Sequence, residues 1–261
     1  MNQLFATGFG TATGTGAQSI GEIGSTSQDV FAAQNNQAGL GFINDFSIGV
    51  FSSNRFLVRE TSYFHLSTAL PTSSGTFGLT VNYRGSSLFN EKQIGIGYGR
   101  KIGKNFAIGA QFDYLNLFLS EYGQKNLFTF ELGVQYLATE QLLIAAHVYN
   151  PLRLQFEAQG LDRLRSIMRL GIKYMPGKDF AFHAEVEKDF DFPVQVKLGA
   201  EYTAFEKLRI GAGVKTNPFE GYFGVSALLN NLTIGVSGGY HPFLGFSPQA
   251  SISYAFKKKK K

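Results

Sequence analysis

His65, His147, His183 and His241 are the residues from which catalysis or metal binding would have to be built, because this chain contains no cysteine. They fall on different predicted strands or loop edges, without the spacing that closes on a metal ion. A nucleophilic hydroxyl needs a base beside it and an acid to orient that base. His65 with Ser67 and Asp113 is the nearest approach to that set, and it is no better than chance. Gly95, Gly97 and Gly99 sit between Ile94, Ile96 and Tyr98 and read as close-packing positions, since strand glycines mark close backbone approach. No phosphate-binding loop occurs. The residues point away from an enzyme and imply no cofactor and no metal.

A second group of polar residues is more systematic. Arg84, Asp113, Glu131, Arg169, Lys173, Glu185, Glu187, Lys197, Glu201 and Arg209 all fall out of phase with their apolar neighbours. Opposite signs recur on successive segments, with Arg169 and Lys173 followed by Glu185 and Glu187, then Lys197 and Glu201, then Arg209. Cross-strand pairs of opposite charge stabilise by about 0.2–1 kcal/mol each, and any one of them buried alone is costly. The pattern predicts a salt-bridge ladder on an enclosed face, with a conducting polar pore as the competing reading.

The elements that hold these charges are strands. From Phe46 to Phe256 apolar residues recur at every second position, as in Phe128-Thr-Phe130-Glu-Leu132-Gly-Val134-Gln-Tyr136. Alternation gives each strand one apolar and one polar face. Fourteen such segments are predicted, at 46–56, 62–70, 75–85, 92–102, 106–119, 127–138, 142–150, 166–175, 180–189, 193–204, 208–216, 221–230, 232–241 and 247–256. Each approaches the roughly 9–11 residues with which a tilted strand crosses a bilayer. No run of apolar residues is long enough for a membrane-spanning helix.

The connections divide into two sets. Every second one is short, and the intervening ones at 85–91, 120–126, 150–165 and 241–247 are mostly longer. Outer-membrane barrels show this asymmetry, with the short turns periplasmic, whereas a soluble β-sandwich has no reason to sort its loops. Phe77, Tyr98, Phe106, Tyr136, Tyr174, Phe180, Tyr202 and Tyr254 lie in phase with the apolar face near the short turns, as an aromatic girdle does at a membrane interface. The fold class expected is an all-β, transmembrane antiparallel β-barrel of about fourteen strands, its apolar face in contact with outer-membrane lipid or lipopolysaccharide. Both termini are expected on the periplasmic side.

Residues 1–45 lack the alternation and are rich in glycine, serine and threonine. They read as a plug within the lumen, with a helix starting at Ser25 or Ser27 and covering Asp29 to Gln34, the acidic residue in its first turn. Lys257 to Lys261 form a basic tail and supply most of the net charge of +5, so a nucleic-acid partner has little support. Leu152, Leu154, Phe156 and Leu161 in the longest loop, with Phe243, Leu244 and Phe246 in the last one, are candidates for a partner surface or a hydrophobic ligand.

The stretch Asp29-Val-Phe31-Ala-Ala-Gln-Asn35-Asn36-Gln-Ala38-Gly39-Leu40, followed by Phe46-Ser-Ile-Gly-Val-Phe and Gly75-Thr-Phe-Gly-Leu-Thr-Val-Asn-Tyr83, resembles the FadL/PorV superfamily of outer-membrane barrels. Ile94-Gly-Ile-Gly-Tyr98 and Phe106 to Tyr114 are similar to its PorV-like branch from Bacteroidota. Gln37 stands where that family's hatch usually carries proline. The resemblance implies a hatch in the lumen and fourteen strands. It further implies an accessory, partner-binding subunit of a larger outer-membrane protein complex, PorV-like in type IX protein export. The alternatives are FadL-like passive uptake of hydrophobic small molecules and a structural barrel in another outer-membrane assembly.

Overall fold

The computed structural model describes residues 8–121, 123–156 and 164–257. Fourteen antiparallel strands close into one barrel, each paired with its neighbours in sequence and the last paired with the first. They are β1 Phe46–Asn54, β2 Ser62–Pro71, β3 Thr76–Gly85, β4 Phe89–Ile102, β5 Phe106–Leu119, β6 Gly123–Leu137 and β7 Leu142–Tyr149. The remainder are β8 Ile167–Tyr174, β9 Phe180–Asp189, β10 Gln195–Ala204, β11 Leu208–Lys215, β12 Glu220–Leu229, β13 Leu232–His241 and β14 Gly245–Phe256. Closure pairs Phe46 with Phe256 and Val50 with Ile252, leaving no free sheet edge.

The alternation sorts residues between lipid and lumen. Phe77, Leu79 and Val81 on β3 are exposed, while Thr76, Thr80 and Asn82 between them are buried. Register turns this into horizontal bands. Val81, Ile94, Tyr114 and Phe128 lie side by side across β3 to β6, and the next row toward the loops is Tyr83, Lys92, Asn116 and Asn126. The wall therefore changes from apolar to polar within one row, as a surface leaving hydrocarbon must.

At the other end Phe77 faces Tyr98, Phe106 faces Tyr136 and Phe180 faces Tyr202. Ring centroids are 5.0 Å apart in the first of these pairs and 4.7 Å in the third. Tyr174 and Tyr254 are exposed on the same face. The aromatic side chains thus stack laterally where the short turns begin.

The loop asymmetry is smaller than the sequence predicts. β4 starts at Phe89 and β6 at Gly123, so much of 85–91 and 120–126 is strand. β4, β5 and β6 run for 14, 14 and 15 residues and raise the wall on one side. Polar rows such as Lys92–Asn116–Asn126 break the apolar pattern without breaking the ladder. The connection 150–166 is the long one that remains. Phe256 ends β14 beside Phe46, near the short turns. Gly8 lies at the other end, its amide bonded to the Glu91 carboxylate near the start of β4.

The segment before β1 fills the barrel. It contains α1 Thr15–Ser19, α2 Ala32–Asn35 and a 3-10 turn at Gln37–Phe42. The predicted helix is shorter and later than expected. Asp29 Oδ1 accepts from the Phe31 amide at 3.0 Å, a turn that precedes α2 and stands outside it. Asn36 caps the 3-10 turn through the Ala38 amide. Asn35, Ala38 and Leu40 are buried, and a side chain on Gly39 would meet the Ser27 carbonyl. The basic tail beyond residue 257 lies outside the described residues.

Candidate functional site: the hatch and the lumen mouth

The hatch is fitted to the wall by small residues. A Cβ at Gly213 would come 2.2 Å from the Ile20 carbonyl carbon, and one at Gly109 would come 2.3 Å from that of Gln37. Equivalent backbone approaches at Gly199 and Gly99 seat the hatch on β10 and β4, and Gly133 of β6 makes room for the Asn36 side chain. Backbone groups come this near only where no side chain intervenes. Polar contacts then fix the register. Thr15 Oγ1 lies 2.7 Å from Ser251 Oγ, Asn36 Nδ2 donates to the carbonyls of Val134 and Ala146, and Gln37 Nε2 donates to Glu131. Val30, Phe31, Ala33 and Leu40 pack with Phe51, Tyr63 and Ala69 in an apolar cluster against β1 and β2.

The lumen charges form a continuous arc near the loop end. Arg169 Nε lies 2.8 Å from Glu187 and 3.9 Å from Glu185, and Lys197 Nζ lies 2.8 Å from Glu185 and 2.7 Å from Glu187. Arg165 extends the arc to Asp189 at 2.7 Å. On the other flank Lys215 bridges Glu22 at 2.7 Å and Glu220 at 3.4 Å, and Arg55 meets Glu220 at 3.3 Å. Arg209 pairs with Glu201 at 3.5 Å lower in the lumen, and Lys173 faces His183 across the β8–β9 register. Arg84 stands at the mouth, 3.9 Å from Glu91.

The arc also grips the hatch. Glu185 accepts from the Ser25 amide, Lys197 donates to the Glu22 carbonyl and Arg169 donates to the Gly10 carbonyl. Burial pushes the Glu22 carboxyl up, but Lys215, Arg55 and Lys197 together outweigh it and hold the pKa down at about 2. Asp29 lacks so close a cation, and burial pushes its carboxyl up despite Arg209. Glu22, Glu91, Arg165, Asp189 and Glu220 were not among the ladder residues expected from sequence. All five stand in loops or hatch, or near strand ends, where alternation gives no signal.

Asp113 departs from the expected ladder. Its hydrogen bonds run to two amides, Gln93 Nε2 at 2.7 Å and Gln111 Nε2 at 2.9 Å, and to the Glu131 carboxyl. Glu131 accepts from Gln37 and Gln111 and lies 2.8 Å from His147 Nε2. This layer is a hydrogen-bonded amide and carboxyl cluster, not an ion-pair ladder.

The hydroxyl chemistry also has a structural explanation. His65 Nε2 meets Ser67 Oγ at 2.5 Å, and its Nδ1 meets Asn82, which donates to Gln34 of the hatch and to Gln93. Ser67 is fully buried and the Phe31 ring lies 5.9 Å from His65, so no acyl carbonyl can reach the hydroxyl. One run, Gly235-Val-Ser237-Gly-Gly239, has the spacing of a nucleophile elbow. It lies within β13, where the strand-to-helix turn that exposes such a serine is missing.

Two environments meet at the mouth. A cavity of about 360 Å³ lies above the hatch, lined by the charged arc together with Phe89, Leu117, Phe192 and Pro193. Beside it Phe9 of the hatch, Leu115, Tyr149, Leu164 and Ile167 form a buried apolar cluster, with Leu127 and Phe156 against it. The Phe9 and Phe156 rings lie 6.4 Å apart. Larger hollows of about 620 and 830 Å³ lie on the apolar outer wall around Ala250 and Val236, where lipid chains would fill them.

The proposed loop surface divides among different settings. Phe156 turns inward to Phe9, and Leu154 is half-buried. Leu152 and Leu244 are exposed, and Phe243 is 92% exposed. Phe246 belongs to β14 and not to the last loop, stacked on Phe223 of the outer wall. Leu161 lies outside the described residues.

No protein-family model and no curated protein matches the sequence. Among solved structures, the toluene transporter TbuX of Ralstonia pickettii superposes with a TM-score of 0.69 at 13% identity, over 98% of this chain and 100% of that one. The fold is that of the FadL/TodX-like outer-membrane barrels. The Pseudomonas putida toluene transporter TodX gives 0.65 at 11% identity, over 97% and 98% of the two chains. A Pseudomonas aeruginosa FadL homologue gives 0.65 at 11%, over 94% and 98%. Identity this low shows the shared fold alone, and the toluene transporters are channels, not enzymes. The PorV-like branch gains no support from these likenesses.

Proposed function

We propose that this outer-membrane barrel is a hatch-closed passage for small hydrophobic molecules. The observation that carries the reading is the apolar cluster of Phe9, Leu115, Tyr149, Leu164 and Ile167 on the lumen side of the mouth. The other apolar cluster on the inner wall, around Phe51 and Tyr63, is covered by Val30, Phe31 and Leu40 of the hatch, whereas this one lies beside the mouth cavity. An apolar ligand leaving water gains about 25 cal/mol for each Å² it buries, and this cluster offers such burial at the mouth. The fold supports the reading, since TodX and TbuX are toluene transporters and a TodX variant is a monoaromatic hydrocarbon channel. Passage requires the hatch to shift, because it seals the lumen below the cluster.

Partner binding, the first expectation from sequence, rests on the exposed loop tips Phe243 and Leu244. They are separated from the inward-turned Phe156 and the wall residue Phe246, so the expected surface is not continuous.

Expression in a Gram-negative host carrying a cytoplasmic toluene reporter tests the proposal. The reporter should respond several-fold faster than in cells without the barrel. An unchanged response with the folded barrel in the outer membrane would overturn it.

A further inference from the structure

The mouth cluster contains one polar atom with nothing to bond. Tyr149 is fully buried, and its hydroxyl has no hydrogen-bond partner among the described residues. A buried hydroxyl left unpaired is destabilising, and phenylalanine would fill the same space without that cost. The polar groups beside it in sequence and register are already engaged. Glu131, opposite Tyr149 on β6, takes Gln37, Gln111 and His147. Asn150, the next residue, is bonded to Thr129, Leu154 and Arg165.

We propose that Tyr149 is a specificity residue of the passage, its hydroxyl donating to a small neutral aromatic ligand that carries one hydrogen-bond acceptor, such as a carbonyl. The Phe9 ring, held in the same cluster by the hatch, marks the place the ligand's ring takes. Gly10, beside it, has a φ of +77° and its missing Cβ would stand 3.0 Å from Ile167 and 3.3 Å from the Tyr149 ring, so the hatch backbone runs directly against the cluster. An anionic head group at the Tyr149 hydroxyl would come within reach of the acidic side chains Asp113, Glu131 and Glu91, which favours a neutral acceptor. A bare hydrocarbon would leave the hydroxyl unpaired. The inference rests on the proposed passage of hydrophobic molecules and narrows its substrate class.

Acetophenone and ethylbenzene test it, since they have the same carbon skeleton and differ by a carbonyl in place of a methylene. Their binding to full-length protein in nanodiscs is read by saturation-transfer NMR, with empty nanodiscs subtracted. The wild type should favour acetophenone by about tenfold, the range of one net hydrogen bond. Tyr149→Phe should remove that preference and leave ethylbenzene unchanged, and Phe9→Ala should strengthen both. A preference that survives in Tyr149→Phe, or equal wild-type binding of the two, overturns the role of Tyr149 while leaving the passage standing. Wild-type protein that binds neither overturns both.

Discussion

Glu22 Oε2 lies 2.7 Å from Lys215 Nζ, and this contact fastens the hatch to β11 through a charge on each side. The same lysine also meets Glu220, which in turn meets Arg55 of the β1–β2 connection and accepts from the Tyr222 hydroxyl. Hatch, wall and loop are thereby joined at one cation. A movement that opens the lumen must break this contact or carry β11 with it.

Glu22→Gln should loosen the hatch and leave the wall intact. A charge-assisted hydrogen bond is worth about 1.5–3 kcal/mol, and Lys215 keeps Glu220 as a partner, so the loss should fall near the lower figure. Hydrogen exchange should rise at hatch amides such as Ile23 and Ser25 and stay unchanged in the strand ladders. Uniform exchange across both regions would contradict a local latch.

The latch should weaken in acid. The Glu22 pKa is lowered from 4.5 to about 2 in the folded protein, so its stabilisation is complete above about pH 4.5 and is lost as the pH falls toward 2. Asp29 works in the opposite direction, since burial raises its pKa and protonation relieves it. The difference between wild type and Glu22→Gln isolates the first carboxyl. Urea midpoints in lipid vesicles should differ at pH 6 and converge near pH 2, and a gap independent of pH would exclude this assignment.

Gly213→Val should displace the hatch, because its Cβ would meet the Ile20 backbone, which has no rotamer to yield. The barrel should still fold and migrate as a heat-modifiable species, with ion conductance raised in planar bilayers. Gly177→Ala is the control, since nothing lies within 4 Å of that position. A Gly213→Val barrel as tightly closed as the wild type would refute the fit of hatch to wall.

Arg169→Met removes one cation from the arc, leaving Glu185 with Lys197 and Glu187 with Lys197 and Arg165. Breaking a buried pair from one side costs about 3–5 kcal/mol, because the remaining charge stays buried. The urea midpoint should fall accordingly, and replacing Glu187 by Gln in the same chain should recover part of the loss. Additive losses would show that the two residues are not coupled.

Strand number and the lipid face were legible because alternation is a local signal repeated fourteen times. The extensions of β4 and β6 were not, since Asn90, Gln124 and Asn126 interrupt the apolar phase while their backbones stay paired. The ion pairs of Arg169, Glu185, Glu187 and Lys197 followed from sign alternation on adjacent strands. Asp113 did not, because its bonds run to Gln93 on β4, to Gln111 on its own strand and to the Glu131 carboxyl, none of them a cation. The mouth cluster did leave a trace in the sequence: Leu115, Leu117, Tyr149 and Ile167 are apolar residues in the lumen phase, at strand ends where polar residues prevail. What joins them is Phe9, which belongs to a segment without any periodicity.

The absence of cysteine allows a direct test of hatch-gated passage. Thr15 Oγ1 and Ser251 Oγ are 2.7 Å apart, which places the two side chains within reach of a disulfide. Thr15→Cys with Ser251→Cys should lock α1 to β14 when oxidised. In cells carrying the toluene reporter, uptake should fall to the barrel-free level on oxidation and recover on reduction. Uptake that continues unchanged through the locked barrel would contradict passage gated by the hatch.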